Sequence, residues 1–175
     1  MVRRCRHKLM GVLLLWGLIA VGSASAAAVS FQVVQHDAGL DKIHSASYVM
    51  ETVFFDYFFD SGHIATNIPT VQSHSKDEDE DIFFRALEDT KTGLCKYLVM
   101  VIVEYDMGAS KNSEAVLLSN IKKVNWLIYD TASESLLEQG ERVVGNVPDK
   151  SNNVSGVKDL ARKLAKDINS AVMKQ

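Results

Sequence analysis

The chain has 175 residues, of which 47% are hydrophobic and 23% are charged, with ten glycines and only two prolines. This composition excludes a disordered or fibrous chain and fits one globular domain. The first acidic residue is Asp37, and four of the nineteen basic residues precede it. Without residues 1–26 the chain keeps fifteen basic and 22 acidic residues, a balance unlike that of nucleic-acid binders, which need clustered Lys and Arg.

The first 26 residues have the pattern of a signal peptide. A basic segment, Arg3 to Lys8, precedes an apolar segment, Leu9 to Val21, and Ala24-Ser25-Ala26 matches a signal-peptidase site. A retained anchor is the alternative, because no charged residue lies between Leu9 and Val34, a span long enough to cross a bilayer. We expect cleavage, a single α/β domain over residues 27–175, and a periplasmic or secreted product without a membrane span.

The first half of this domain is predicted to alternate strands and helices. The periodicity of apolar residues predicts strand, helix, strand and helix over residues 30–36, 45–59, 63–71 and 77–91. Ser45 or Ser47 is expected to cap the first helix, and Gly62 suits the turn that ends it. Pro69 indicates the end of the second strand or an edge of the sheet, because proline cannot donate to a strand ladder.

The second half is predicted to contain three strands and a helix, over residues 97–105, 115–129, 136–144 and 157–173. The strand from Tyr97 to Tyr105 is apolar without alternation, which is typical of a strand covered on both faces. Lys122-Lys123 indicates a bulge, and Ser155 is the expected cap of the last helix. The order β-α-β-α-β-β-β-α predicts an α/β (α+β) sandwich with a mixed sheet of about five strands and three helices.

Several short segments in this order resemble a family of exported α/β domains. They are the Ser61-Gly62 turn, the entry Gly93-Leu94-Cys95-Lys96-Tyr97-Leu98-Val99 into the central strand, the hairpin segment Leu127 to Thr131 and the terminal helix. The family includes the amino-terminal domain of TolB, the curli-secretion lipoprotein and the outer-membrane lipoprotein activators of peptidoglycan synthases. The resemblance implies a non-catalytic module that binds envelope proteins. The chain lacks their lipidation cysteine, pore-building insertions and propeller, so the fold alone does not supply the function.

Acidic residues are spaced as calcium ligands at the start of the second predicted helix. Asp77, Asp79, Asp81 and Glu88 occupy the first, third, fifth and twelfth positions of an EF-hand loop. The sixth position should be glycine, but Ile82 stands there, and a β-branched residue resists positive φ. A solvated helix start is therefore favoured over an EF-hand. Cation binding by Asp77, Asp79 and Asp81 is kept as an alternative.

The first predicted helix carries more aromatic rings than one face can bury. Five rings lie between Phe54 and Phe59, and neighbours about 100° apart on a helix point in different directions. The helix is therefore either wedged inside the domain or exposes Phe55 and Phe59, four residues apart on one stripe, to a partner. We take Phe55 and Phe59 as the candidate partner-binding residues.

No constellation of residues in the sequence indicates an enzyme. Cys95 is predicted to be a small buried side chain, and the histidines after the signal segment show no metal-ligand spacing. We therefore predict no catalytic residues, no metal and no cofactor. The expected function is that of an exported, soluble interaction module in cell-envelope assembly or maintenance, which binds envelope proteins or itself. A small-ligand or cation-binding periplasmic protein that uses the acidic segment 77–81 is the alternative.

Overall fold

The computed structural model describes residues 26–36, 39 and 42–175. The predicted signal peptide, residues 1–26, lies outside the described residues except for Ala26. The elements, in chain order, are β1 (Ala28–His36), α1 (Ser45–Asp60), β2 (Ile64–Ser73), α2 (Lys76–Thr92), β3 (Tyr97–Tyr105), β4 (Ile121–Asp130), β5 (Ser135–Val143) and α3 (Val154–Val172). Within these residues, no helix combines the length and the apolar character that crossing a membrane requires.

The five strands form one mixed sheet in the order β2-β1-β3-β4-β5. β1 pairs in parallel with both β2 and β3, whereas β3, β4 and β5 form an antiparallel meander. The crossover connections through α1 and α2 make β1, β2 and β3 parallel to one another. The direct connections from β3 to β4 and from β4 to β5 make the other half of the sheet antiparallel. The predicted α/β sandwich and its element order are confirmed. β2 and β5 are the edges, so the proline at position 69 lies on an edge strand, as its chemistry requires.

Helices α1 and α3 lie side by side on one face of the sheet. The larger core cluster joins alternate residues of β1, such as Phe31, with alternate residues of β3, such as Val99 and Val101. From the helices it takes Phe54 and Phe58 of α1 and the apolar stripe of α3, which comprises Val157, Leu160, Ala161, Leu164, Ala165, Ile168 and Val172. This stripe matches the predicted one, because a period of 3.6 residues keeps it on the side that faces the sheet.

Helix α2 covers the opposite face. Ile82, Ala86 and Leu87 of α2 pack against Leu98 and Met100 of β3 in a second, smaller core cluster. β3 is therefore covered on both faces from Tyr97 to Val101, as its unbroken apolar sequence predicts. Beyond this point the second face is partly exposed, because α2 packs mainly over β2 and β3.

The helix caps differ from the predicted ones. α1 is capped by His44, whose Nδ1 accepts a hydrogen bond from the backbone N–H of Ala46 at 3.0 Å. Ser47 cannot serve, because its hydroxyl bonds Gln35 and Tyr105 in the core. α3 is capped by Asn153 instead of Ser155, and its Oδ1 accepts the N–H of Ser155 at 2.9 Å. In both helices the cap lies before the predicted serine.

The fourth strand begins later than its sequence predicts. Residues 115–117 are irregular and Leu118–Asn120 form a short 3₁₀ turn, so β4 starts at Ile121. The turn is fixed by the buried side chain of Asn120, whose Nδ2 donates to the backbone oxygens of Asn112, Ser113 and Ala115. A residue that satisfies three carbonyls outside the ladder ends regular strand pairing there. The predicted bulge is confirmed, since Lys122 is the extra residue between two paired positions.

Candidate functional site

The aromatic block of α1 divides between the core and the surface. Phe54 and Phe58 are fully buried, whereas Phe55 is 36% and Phe59 is 64% exposed. The division follows from the 100° step between neighbours, which turns the side chains after each buried ring away from the sheet. Of the two predicted arrangements, the structure shows the one in which α1 keeps an uncovered aromatic face among the described residues.

The exposed pair forms an ordered surface. The rings of Phe55 and Phe59 lie parallel, with centroids 6.4 Å apart and planes 8° apart. Phe55 also lies 6.3 Å from the buried ring of Phe31, so the core holds one end of the pair. Stacked rings with an anchored base lose little side-chain freedom when a partner covers them.

Tyr48 extends the exposed surface of α1, and the sequence reasoning missed it. Tyr48 is 49% exposed and lies seven residues before Phe55, two helical turns earlier on the same side. This spacing is readable in the sequence. Tyr48, however, lies outside the dense block from Phe54 to Phe59 on which the prediction was based. We refer to Tyr48, Phe55 and Phe59 as the aromatic stripe.

The aromatic stripe lies beside the free edge of the sheet. Phe31, which contacts Phe55, pairs in β1 with Asn67 of β2. The side-chain amide of Asn67 in turn donates to Glu51 of α1 at 3.3 Å. Among the described residues β2 pairs only with β1, so its other side presents backbone groups without a strand partner.

The charged residues of α1 itself are all acidic. α1 carries Glu51, Asp56 and Asp60 and has no Lys or Arg between its first and last residues. Glu51 lies on the side of the stripe that faces β2, where it accepts from Asn67, and Asp56 and Asp60 lie on the other side, so the exposed rings stand between carboxylates of α1. Such a surface attracts basic groups and repels other acidic surfaces.

The acidic segment of α2 lies on the opposite face of the sheet. Ser75 caps this helix, and Asp77 and Asp79 lie in its first turn, where carboxylates are stabilised by the helix dipole. Asp79 accepts from His36 at the end of β1, with 2.8 Å between Oδ1 and Nε2. Within the part of the chain that the structure describes, no group of three His, Cys, Asp or Glu side chains could hold a metal ion. Cation binding by Asp77, Asp79 and Asp81 stays a prediction.

Cys95 and His63, whose side chains could take part in chemistry, lie in separate parts of the fold and make structural contacts. Cys95 is buried, as predicted, with its thiol 3.7 Å from the carbonyl of Gly93. His63 joins two elements, because its Nδ1 accepts from Ala27 and its Nε2 lies 2.6 Å from Oδ1 of Asn169. These contacts hold chain segments together and leave the groups turned inward.

A buried polar cluster links β1, α1 and β3. His44 and Ser47 both donate to Oε1 of Gln35, through a backbone N–H and a hydroxyl respectively, and the Ser47 hydroxyl also bonds the hydroxyl of Tyr105. Burial raises the pKa of Tyr105 far above its ordinary value. Burial also lowers the pKa of His44, although its bond to the Ser113 carbonyl and the charge of Glu114 oppose the shift. The cluster fixes the start of α1 and is closed to solvent.

The fold places this chain in the class of α/β sandwich domains with a mixed five-stranded sheet. The chain belongs to a family whose model carries the description "Uncharacterised protein" and matches residues 28–173. A search of the curated proteins gives no match.

The solved structures to which this chain is similar include three named proteins. The PelC dodecamer from Paraburkholderia phytofirmans is 12% identical over 85% of this chain and 88% of its own, with a TM-score of 0.45. TolB from Acinetobacter baumannii is 16% identical over 85% of this chain but only 30% of its own, with a TM-score of 0.41. The LpoB C-terminal domain from Salmonella enterica is 8% identical over 71% of this chain and 87% of its own, with a TM-score of 0.39. TolB, whose amino-terminal domain the sequence segments resemble, is among the proteins to which this chain is similar in fold.

Proposed function

We propose that this protein is an exported, non-catalytic interaction module of the cell envelope that binds another protein through Phe55, Phe59 and the adjoining Tyr48. The observation that carries the proposal is the stacked and exposed pair of rings on α1. Export is supported by the signal-peptide pattern of residues 1–26, and the envelope setting by the resemblance drawn from the sequence.

The physical argument concerns the free energy of covering the stripe. Each square ångström of apolar surface removed from water contributes roughly 25 cal/mol, and aromatic rings supply much of the binding energy of protein interfaces. Scattered exposed rings are ordinary, whereas neighbouring ones that form a continuous patch are typical of contact surfaces. The anchored stacking of Phe55 lowers the entropic cost of binding further.

A non-catalytic role is supported by the positions of the reactive side chains. Among the described residues, His44, His63 and Cys95 are buried, and their hydrogen-bond partners lie in separate parts of the fold. Acid–base or nucleophilic catalysis needs such groups to converge on a space that a substrate can reach. The exposed features of the domain are instead those of a contact surface.

The test compares two exposed phenylalanines. Phe59→Asp places a charge on the stripe, and Phe84→Asp makes the same change on α2, where Phe84 is 61% exposed. Tagged wild type and both variants are incubated with envelope extract, and the recovered proteins are quantified by mass spectrometry. We expect a protein whose recovery falls about tenfold or more with Phe59→Asp and is unchanged with Phe84→Asp.

Circular dichroism and thermal unfolding of the three proteins show whether each variant is folded. Phe55→Asp provides a second substitution in the stripe and is expected to give the same loss. Equal recovery of all proteins by wild type and by folded Phe59→Asp and Phe55→Asp would mean that the stripe is not the contact surface.

A further inference from the structure

The free edge of β2 has a defined set of exposed backbone groups. The backbone N–H of Ile64 donates to the carbonyl of Ala27, so Ile64 faces β1. Because successive residues of a parallel strand direct their backbone groups to opposite sides, Ala65 and Asn67 direct theirs outward. Further along, Pro69 has no N–H to offer.

A bulge limits this edge to its first half. The pairing of β1 with β2 shifts register between Gln32 and Val34, opposite Pro69. The carbonyl of Pro69 is occupied by the side-chain amide of Gln32, at 3.0 Å. Proline and bulges protect sheet edges from pairing with other chains. The stretch from Ile64 to Ile68 carries neither, and this is the stretch beside Phe55.

A groove lies on the other side of the same edge. It has a volume of about 190 Å³ and is lined by Ile68 and Pro69 of β2 and by Ile82 and Ala86 of α2, among others. Gln32 also lines it, and its buried Oε1 has no hydrogen-bond partner among the described residues. The Ile64–Ile68 stretch therefore has the aromatic stripe on one side and, at its Ile68 end, the start of a groove with a free acceptor on the other.

We propose that the partner contributes an extended segment that adds as a strand to the Ile64–Ile68 edge, with apolar side chains flanked by Lys or Arg. This inference rests on the proposed function and specifies the form and chemistry of the partner. Its backbone pairs with the outward groups of Ala65 and Asn67. Alternate side chains then reach the two sides of the sheet, because side chains along a strand alternate in direction.

The charge of α1 selects the flanking residues. Glu51 faces this edge, where it accepts from Asn67, and Asp56 and Asp60 lie across the stripe on the same helix, which carries no Lys or Arg. Lysine or arginine on the segment therefore gains a favourable interaction, and acidic residues are repelled. The same charges oppose a second copy of this chain, because two copies meeting at this edge would place two α1 helices, each with three carboxylates and no Lys or Arg, near each other. A protein segment of opposite charge is therefore the occupant that the surface fits.

The experiment uses a synthetic peptide and two substitutions at one position. The probe is a fluorescein-labelled peptide that alternates leucine and threonine and carries two lysines at each end. Asn67→Pro removes the outward N–H, and Asn67→Ala is the matched control that keeps it while losing the same side-chain contact to Glu51. Binding is measured by fluorescence anisotropy with the exported form of the protein, and circular dichroism checks each fold.

We expect wild type and Asn67→Ala to bind the probe within about twofold of each other, and Asn67→Pro to bind about tenfold more weakly or not at all. A probe with glutamates in place of the lysines is expected to bind at least about tenfold more weakly than the lysine probe. Equal binding by folded Asn67→Pro and Asn67→Ala, equal binding of the two probes, or no binding by wild type overturns the inference.

Failure of this inference is distinguishable from failure of the proposed function. If the recovery of envelope proteins falls with Phe59→Asp but not with Asn67→Pro, the stripe binds its partner without strand addition. Light scattering of the free protein tests the remaining occupant: a dimer that Asn67→Pro dissociates identifies a second copy at this edge and overturns the proposed partner segment.

Discussion

Helices α1 and α3 lie on the same face of the sheet but use their apolar residues differently. In α3 the apolar stripe from Val157 to Val172 is buried, and the opposite side carries Lys, Arg and Asp. In α1 the core accepts Phe54 and Phe58, while Tyr48, Phe55 and Phe59 remain partly or largely exposed. One helix has the apolar residues that the core needs, and the other has more.

This difference separates the apolar residues that the stability of the fold requires from those that it does not require. Burial against the sheet explains every large apolar residue of the α3 stripe, so that pattern has no need of a partner. Nothing in the domain core explains the exposed rings of α1, because the hydrophobic effect contributes to folding only where surface is removed from water. Apolar residues in excess of the core are therefore the more informative part of this sequence about function.

Adjacent phenylalanines of α1 provide the sharpest test of this comparison. Phe58→Ala is expected to lower the free energy of unfolding by about 3–5 kcal/mol, because it empties a fully buried site. Phe59→Ala is expected to change it by no more than about 0.5 kcal/mol, as for ordinary surface positions. Urea unfolding monitored by circular dichroism gives both values. Similar large losses for both substitutions would show that Phe59 is part of the core.

The start of α3 offers a second test, in which a normally favourable change becomes unfavourable. Glycine to alanine within a helix usually stabilises it by about 1 kcal/mol. At Gly156 a Cβ would lie 1.8 Å from the carbonyl oxygen of Ser151, so the backbone must shift. We expect Gly156→Ala to destabilise the protein by about 1–3 kcal/mol in urea unfolding. A stabilised variant would show that α3 begins with more freedom than its packing indicates.

The caps of the two helices predict a difference in pH dependence. Neutral His44 caps α1 through Nδ1, which cannot accept a hydrogen bond once it is protonated, whereas Asn153 caps α3 without titrating. Burial lowers the pKa of folded His44 below the value of 6.5 that an unperturbed histidine has. The unfolded chain therefore takes up the proton first. Stability is full above this pH and falls below it, until the lower pKa of the folded state is passed.

We expect wild type to lose more stability than His44→Asn between about pH 8 and about pH 5, since asparagine can cap without titrating. Asn153→Ala is expected to cost about 1 kcal/mol at both values, because its cap is independent of pH. Urea unfolding at the two pH values provides the measurements. An identical pH dependence for wild type and His44→Asn would contradict a capping role for neutral His44.

Much of the fold followed from local patterns, but the details set by contacts between distant segments did not. The periodicity of α3 and the unbroken apolar run of β3 predicted both elements, because each reflects a single, uniform environment. The caps at His44 and Asn153 were missed, since the choice among nearby polar residues depends on what else they bond. Ser47 is taken by Gln35 and Tyr105, which no local pattern reveals.

The candidate site was predicted in part, for a related reason. The density of rings between Phe54 and Phe59 indicated that some could not be buried, and the spacing of Phe55 and Phe59 identified the pair. Tyr48 and the β2 edge were not assigned to it. Their relation to the pair depends on β2 lying outside β1, an arrangement set by the pairing of strands distant in sequence.

The order of the elements, the covering of β3 on both faces and the surplus of aromatic residues in α1 follow from composition and period along the chain, so the sequence predicts them. The exposure of particular rings, and their position beside the free edge of β2 and among the carboxylates of α1, follow only from the tertiary packing. The reason is physical: local patterns record how much apolar surface a segment can bury, whereas the packing of distant segments decides which part of it is covered.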